Sequence, residues 1–369
     1  MKNRQFILIT LFVIITLSIP VFAQQKGVKM RDALHWPFSQ KSIWNMPIGS
    51  NAIYVPARLE PTTQAGLTID EDYIVMTPTA PLMEVYESNA GWDKDKDRCE
   101  KTGKLMYSLP IPQSFVVNKQ TWDGATPNAG VAVLMPDGRT IKQNQPFAHC
   151  SNGGYATSFY QFPDQDIQGD GYYGAHGASG LSAIGGTLRI GELTPDSGPI
   201  RHALKMNVWG AKNLYYDSIT KGYRWPARSA DGYASAGDNA YGKKRTSAVV
   251  KECRMGALLA IPTSIKISEM KLETQPAKIL AQTFQDYGAY IVDDTAWDVN
   301  ALMAEWGPNG RFKDEFKKNW GFDFVTGTDT PWGRDMMKIF STLNVVDNNT
   351  AATIGGGGKP LKPLAPPFK

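Results

Sequence analysis

Short apolar runs rich in Val, Ile, Tyr and Phe recur along this chain, separated by Gly, Pro, Asn and Asp, and that punctuation limits what it can fold into. They include Ile53-Tyr-Val, Tyr73-Ile-Val-Met, Leu82-Met-Glu-Val-Tyr, Phe115-Val-Val, Val131-Ala-Val-Leu, Thr187 to Leu193, Ala203 to Trp209, Met255 to Ile261 and Ala289-Tyr-Ile-Val. Many short strands at this spacing predict a mainly β chain, a β-sandwich or jelly-roll-like single domain. A few peripheral helices are expected in the C-terminal third. The clearest spans Pro276 to Tyr287, where proline suits the first turn, Ile279, Leu280, Phe284 and Tyr287 fall near one face, and Gly288 supplies a stop. Arg311 to Lys318 and Arg334 to Leu343 are shorter candidates. Strand and helix do not alternate in the regular way a doubly wound sheet demands.

The N-terminus has the order of a secretory leader. Lys2 and Arg4 precede an apolar run from Phe6, and Val21-Phe22-Ala23 supplies the small residue before cleavage, so residues 1–23 are expected to be a signal peptide and the mature chain secreted or periplasmic. The run is interrupted by Thr10, Thr16, Ser18 and Pro20 and is short for a bilayer span, so no stable membrane span is expected. Residues 24–349 read as the single β-rich domain. Residues 350–369, with Gly355 to Gly358 followed by a proline-rich run, read as a flexible tail.

Removing Lys2 and Arg4 with the leader takes the formal charge from +4 to +2. That balance provides no basic field of the kind nucleic-acid binding requires. Three cysteines, Cys99, Cys150 and Cys253, are too far apart for a CxxC metal or redox motif. One disulfide with one free thiol suits an oxidising compartment, and spacing leaves the pairing open.

The stretch Tyr173 to Leu193, YGAHGASGLSAIGGTLRIGEL, concentrates glycine ahead of a β-like run. It contains no GxxxxGK[ST] or GxGxxG string, which excludes a phosphate loop. Gly177-Ala-Ser179-Gly-Leu181 lacks the last glycine of a nucleophile elbow, so Ser179 is not read as a nucleophile. What remains is a loop that permits close backbone approach, leading into a strand on which a bulge at Gly191 would bring Arg189 and Glu192 to one face. His176 is read at the rim of a cleft, where imidazole suits proton transfer. Upstream, Asp164, Asp166 and Asp170 lie at close spacing around Gly169, and oxygen ligands on a loop suit a structural calcium ion; the EF-hand count fails, because Ala175 stands where its glutamate belongs.

Aromatic residues make up 11% of the chain, and several, among them Trp122, Trp225 and Tyr233, stand in polar, glycine-rich surroundings. Aromatic faces stack on the C–H faces of sugar rings while Asp, Arg and His bind hydroxyls. Glycosidic hydrolysis also needs two carboxyl groups flanking the bond. Glu192 and Asp231 are read as that catalytic pair, with His176 beside them. Arg189, Trp225, Arg228, Tyr233, Trp122 and Asp123 are read as substrate-binding residues. Asp293 and Asp294 form a reserve pair, weakened because neighbours on a strand face opposite ways.

The ordered strings SIWNMPIG (42–49), GGTLRIGEL (185–193), IRHALKMNV (200–208), YRWPARSADGY (223–233), MGALLAIP (255–262) and YGAYIVDDT (287–295) resemble a family of exported, β-rich microbial proteins of largely unassigned function, suspected to be carbohydrate-active. The resemblance implies one continuous β-rich domain with export and carries no catalytic residue across. The expected function is that of a secreted glycoside hydrolase acting on a polysaccharide, with no cofactor required. The alternatives are a polysaccharide lyase on a uronate polymer, with Arg189 or Arg228 neutralising the carboxylate and His176 or Tyr233 removing the proton, and a non-catalytic glycan-binding protein.

Overall fold

Residues 30–117, 128–151 and 154–369 are described by the computed structural model; the expected leader, Trp122 and Asp123 lie outside them. In the first half of the chain the strands are β1 (Tyr54–Pro56), β2 (Thr68–Val75), β3 (Leu82–Glu87), β4 (Leu105–Pro110), β5 (Val131–Leu134), β6 (Thr140–His149), β7 (Ala156–Gln161), β8 (Gln165–Asp166) and β9 (Tyr173–His176). Then come β10 (Leu204–Val208), α1 (Gly210–Asn213), β11 (Leu258–Ala260), α2 (Gln275–Asp286) and β12 (Ala289–Asp294). The last are β13 (Ala301–Gly307), β14 (Gly310–Arg311), α3 (Phe312–Trp320), α4 (Pro331–Ser341) and β15 (Asn344–Val346).

The fold is mainly β. Among the described residues one 14-stranded sheet runs in the order β1-β15-β11-β12-β10-β13-β2-β5-β6-β7-β3-β4, with β14 on β13 and β8 on β6. It is mixed: β10 runs parallel to β12, and β2 runs parallel to both β13 and β5. Parallel strands are normally covered on both faces, and here every residue of β10 is buried.

Alternation divides the central strands between two apolar layers. Leu204, Met206 and Val208 of β10, Ile291 of β12 and Leu302 of β13 face α2, α3 and α4, which contribute Phe284, Phe316 and Trp332. On the other face Tyr290, Ala301 and Met303 pack with Trp44, Ile48 and Ile184. The three longer helices lie where the sequence placed them. Thr330 caps α4 by accepting the Gly333 N–H at 2.9 Å, with Pro331 at the first position. In α3, Asp314 and Glu315 occupy the first turn and Lys317 and Lys318 the last, matching the helix dipole, and Gly321 ends it at φ +81°. No helix of the described residues is long and apolar enough to cross a membrane.

Two segments differ from expectation. The strand expected from Thr187 to Leu193 reduces to one bridge, Leu188 to Ala304, after which the chain turns at Gly191 with φ +90°. Glu192 accepts the Arg189 N–H at 2.8 Å, a local side-chain-to-backbone bond that takes the place of a ladder bond. The 350–369 segment, expected as a flexible tail, is packed against the rest of the chain. Gly49 donates to the Gly355 carbonyl at 2.9 Å, Arg31 to the Pro367 carbonyl at 2.9 Å, and Gly49 bridges Pro360. Gly355 to Gly358 all adopt positive φ, and a Cβ on Gly355 would stand 2.4 Å from the Pro47 carbonyl oxygen, so glycine here allows contact between two backbones.

Cys99 and Cys150 form a disulfide with Cα atoms 5.9 Å apart, and Cys253 is a free, buried thiol. The bridge closes a sequence separation of 51 residues. Replacing both partners, Cys99→Ser with Cys150→Ser, is expected to lower stability by about 2–4 kcal/mol, measured by urea unfolding. An unchanged midpoint would show that the bridge does not constrain the unfolded chain.

Candidate functional site

Along β2 alternation sends Asp70, Asp72 and Ile74 to the Trp44 side of the sheet, while Ile69 and Tyr73 join the opposite layers. Glu71, on that opposite side, is occupied by Arg311, whose Nε donates to it at 2.9 Å. On β10, Lys205 and Asn207 project to the same side as Asp70 and Asp72, between the apolar Leu204, Met206 and Val208. A register shift between Met206 and Asn207 against β12 sets Asp293 opposite Asn207. His176, the last residue of β9, is brought over this face by the glycine loop. Gly177 adopts φ +47°, and a Cβ there would lie 2.2 Å from Asp293 Oδ2, so only glycine lets the loop close on that carboxylate.

Asp72 is the hub of the buried group. It accepts from Lys205 Nζ at 2.8 Å, from His176 Nδ1 at 2.9 Å and from Thr187 Oγ1 at 2.7 Å. Lys205, fully buried, also donates to the Ser182 carbonyl at 2.7 Å. Burial pushes the Asp72 carboxyl up, but Lys205 and His176 outweigh it and hold it below the usual carboxylate range. Burial lowers the Lys205 ammonium, against the pull of Asp72.

Asp70 and Asp293 complete this group. Asn128 Nδ2 donates to Asp293 Oδ2 at 2.6 Å and to Asp70 Oδ2 at 3.2 Å, and Asn207 Nδ2 reaches Asp70 Oδ2 at 3.3 Å. Burial raises the Asp70 carboxyl, with Asp72 adding to the effect against His176 and Asn128. Asp293 is pushed well above the carboxylate range, first by burial and then by the charges of Asp231 and Asp70.

Asp231 lies toward solvent from these groups and is half-buried. Its Oδ2 accepts the Tyr241 hydroxyl at 2.5 Å. Burial and the neighbouring Asp294 push its carboxyl up to about 6, against the Tyr241 hydrogen bond. Asp294 is held by the Gly210 N–H at 2.7 Å, the Ala296 N–H at 2.9 Å and the Tyr233 hydroxyl at 3.1 Å. Tyr233 is 39% exposed and Trp92 40%, and Trp92 Nε1 donates to Asn128 Oδ1 at 3.2 Å. Tyr233 thus reaches Asp294 directly, and Trp92 reaches Asp70 and Asp293 through Asn128.

The residues singled out in the sequence divide between this site and other surroundings. His176, Asp231, Tyr233, Asp293 and Asp294 belong to it. His176, expected at a rim, is only 1% exposed, because the glycine loop folds inward over the sheet. Asp293 and Asp294 face different partners, as adjacent strand residues must. Glu192 is elsewhere: it meets His202 Nε2 at 3.1 Å, while Arg189 Nε donates to Glu305 Oε2 at 2.8 Å. Both line a separate cavity of about 560 Å³ together with His35, Arg201 and His202. The expected pair of Glu192 and Asp231 is therefore split, and the turn at Gly191 is the cause. Trp225 packs against the apolar layer that contains Trp44, and Arg228 stacks on Tyr173 at 4.0 Å.

The acidic loop is also engaged otherwise than expected. Asp164 pairs with Lys142 at 2.9 Å, Asp166 accepts from Arg139 Nε at 2.9 Å, and the Asp170 carbonyl accepts from Ser42 at 2.6 Å. Asp164 and Asp166 are thus each paired with a basic neighbour on or beside β6. Among the described residues, the group whose donor atoms converge closely enough for a metal ion is Asp70, His176 and Asp293.

Asp70, Asp72, Asn128, Lys205 and Asn207 were not singled out in the sequence. For Lys205 and Asn207 the signal is a polar residue at every second position of an otherwise apolar strand, LKMNV; for Asp70 and Asp72 it is the acidic run inside TIDEDYIV; Asn128 lies in neither strand. Compared with protein-family models, curated proteins and solved structures, the chain finds no match. The strings that resemble an exported β-rich family therefore assign no residue a role.

Burial alone would lower the His202 imidazole, but Glu192 and the Ala203 carbonyl outweigh it and raise it above its ordinary value. The stability this pair supplies is full below the unfolded histidine value of about 6.5 and is lost as pH rises through the higher folded value. Glu192→Gln is expected to show its largest stability deficit between about pH 5 and 6.5, shrinking toward alkaline pH. A deficit that does not shrink as pH is raised from about 5 to about 9, in denaturant titrations, would overturn this account.

Proposed function

We propose that the chain is an exported hydrolase of polysaccharide glycosidic bonds, in which Asp231 transfers the proton and the buried acidic group of Asp70, His176 and Asp293 lies behind it. Glycosidic hydrolysis asks one carboxyl to protonate the leaving oxygen and a second, negatively charged centre to activate water or to attack. The observation that carries the reading is the position of Asp231. It is a half-buried carboxyl fixed by Tyr241 and set beside the Asp293-Asp294 end of β12, between solvent and a closed acidic group.

Three further features support it. Exposed Trp92 and Tyr233 stand above these carboxylates, in places where sugar rings can stack. Asn128 and the tyrosine hydroxyls offer polar contacts for sugar hydroxyls. The Cys99–Cys150 disulfide suits the oxidising compartment that a leader at residues 1–23 would imply. Glu192 takes no part in this reading, since His202 and its own turn engage it.

Asp231→Asn keeps the shape and removes the titrating proton. Against a panel of neutral and uronate polysaccharides, the native protein is expected to release new reducing ends, and Asp231→Asn to lose about 100-fold or more of that rate. Product carrying the ultraviolet absorbance of an unsaturated sugar would instead identify elimination. Retention on a polysaccharide without any cleavage would identify a binding protein, and full activity in Asp231→Asn would remove Asp231 from the chemistry.

A further inference from the structure

We propose that Asp70, His176 and Asp293 hold a divalent d-block cation, Zn²⁺ or Mn²⁺, with His176 Nε2 as the nitrogen ligand. The inference concerns the buried half of the site described above and is tested by binding, so it can fail without hydrolysis failing. Its first support is the imidazole. Nδ1 of His176 is committed to Asp72 at 2.9 Å, which fixes the proton on that nitrogen and leaves the Nε2 lone pair free. Nε2 is buried with no hydrogen-bond partner, in a residue 1% exposed. A carboxylate that orients a histidine whose other nitrogen faces inward is the arrangement that metal-binding imidazoles use.

The second support is the company of that nitrogen. Asp70, 8% exposed, has Oδ1 buried and unpartnered, and Asn207 Oδ1 is in the same condition. A buried polar atom left without a partner is destabilising, so three in one group call for a common partner. One donor atom each from Asp70, His176 and Asp293 lies within 4.8 Å of the others. Metal–ligand bonds of about 2.0–2.2 Å close that spacing with a small shift of the side chains. Charge points the same way. Lys205 is committed to Asp72, so Asp70 and Asp293 have no cationic partner of their own among the described residues, and a divalent ion would supply one to both.

The donor set selects the class of ion. One imidazole nitrogen with two carboxylate oxygens suits zinc or manganese, whereas calcium asks for about 6–8 oxygens. Asn207 Oδ1 is the neutral oxygen placed to add to the set.

The test is titration of chelator-stripped protein with ZnCl₂, MnCl₂ and CaCl₂ by calorimetry, with the bound metal counted by elemental analysis. The expected result is one equivalent of Zn²⁺ or Mn²⁺ per chain. His176→Gln and Asp70→Asn should abolish that binding, and Asp72→Asn should weaken it about 10–100-fold by freeing the imidazole. Asp231→Asn should bind the ion undiminished while losing hydrolysis, which separates this inference from the proposed function. Should a ligand variant fail to fold, the visible spectrum of Co²⁺ added to native protein reports whether nitrogen and oxygen ligands enclose it. Absence of stoichiometric binding to native protein, binding of Ca²⁺ alone, or binding that survives both His176→Gln and Asp70→Asn overturns the proposal.

Discussion

The buried ion pair between Asp72 and Lys205 is the interaction on which the site depends. Removing a carboxylate and an ammonium from water costs several kcal/mol for each ion, and their attraction offsets this only when the remaining donors and acceptors are met. Here they are met by Thr187, His176 and the Ser182 carbonyl. Losing either ion would leave the other buried and uncompensated, typically a loss of about 3–5 kcal/mol. The pair also has geometric work, because β13 lies between β10 and β2 and the ion pair crosses over it. It ties two strands that share no ladder bonds and, in the same contact, fixes the ring of His176.

The glycine loop from 174 to 187 supplies the cover for this polar group. Gly177 meets Asp293, and Gly185 and Gly186 lie so close to Trp44 that added Cβ atoms would stand 2.2 and 2.6 Å from the indole. Side chains at those points would lift the loop from the sheet and open Asp72 to water. Glycine density here therefore reflects close packing over a charged floor, in place of phosphate binding or a strained nucleophile. The same residue type at Gly191 does the opposite. It ends the pairing begun at Leu188 and carries Glu192 away from the carboxylates toward His202.

The class of fold was legible because alternation and punctuation are local signals. β2, β3, β5, β10 and β12 and the three longer helices fall where short apolar runs, caps and stops placed them. Thr187 to Leu193 alternates equally well, yet its ladder is lost to a turn that one glycine permits and one side chain stabilises. The 350–369 segment has the composition of a linker, and it is held by contacts with residues 31 and 47–52, more than 300 positions away. No local pattern carries that information. At the site, Asp231 and His176 could be read from scarcity and setting. Asp70 and Lys205 were hidden because a polar residue inside a strand ordinarily marks a solvent face, and only pairing shows that both faces of β2 and β10 are covered.

Strand register is what turns these scattered residues into one group. Asp293 on β12 and Asp70 on β2 are separated in the sheet by β10 and β13. Three strand spacings of about 4.8 Å would place their backbones about 14 Å apart in a flat sheet, with side chains standing parallel and unable to meet. Yet one amide group of Asn128 reaches both carboxylates, at 2.6 and 3.2 Å. Their side chains therefore converge on one point above the sheet. The register shift at Met206 and Asn207 lies between them, and an extra residue in one strand increases local twist. Without it Val292 would oppose Asn207, an apolar residue where a carboxylate now stands. The pairing of Asp293 with Asn207 thus arises from that irregularity, which makes the convergence of Asp70, His176 and Asp293 depend on strand register.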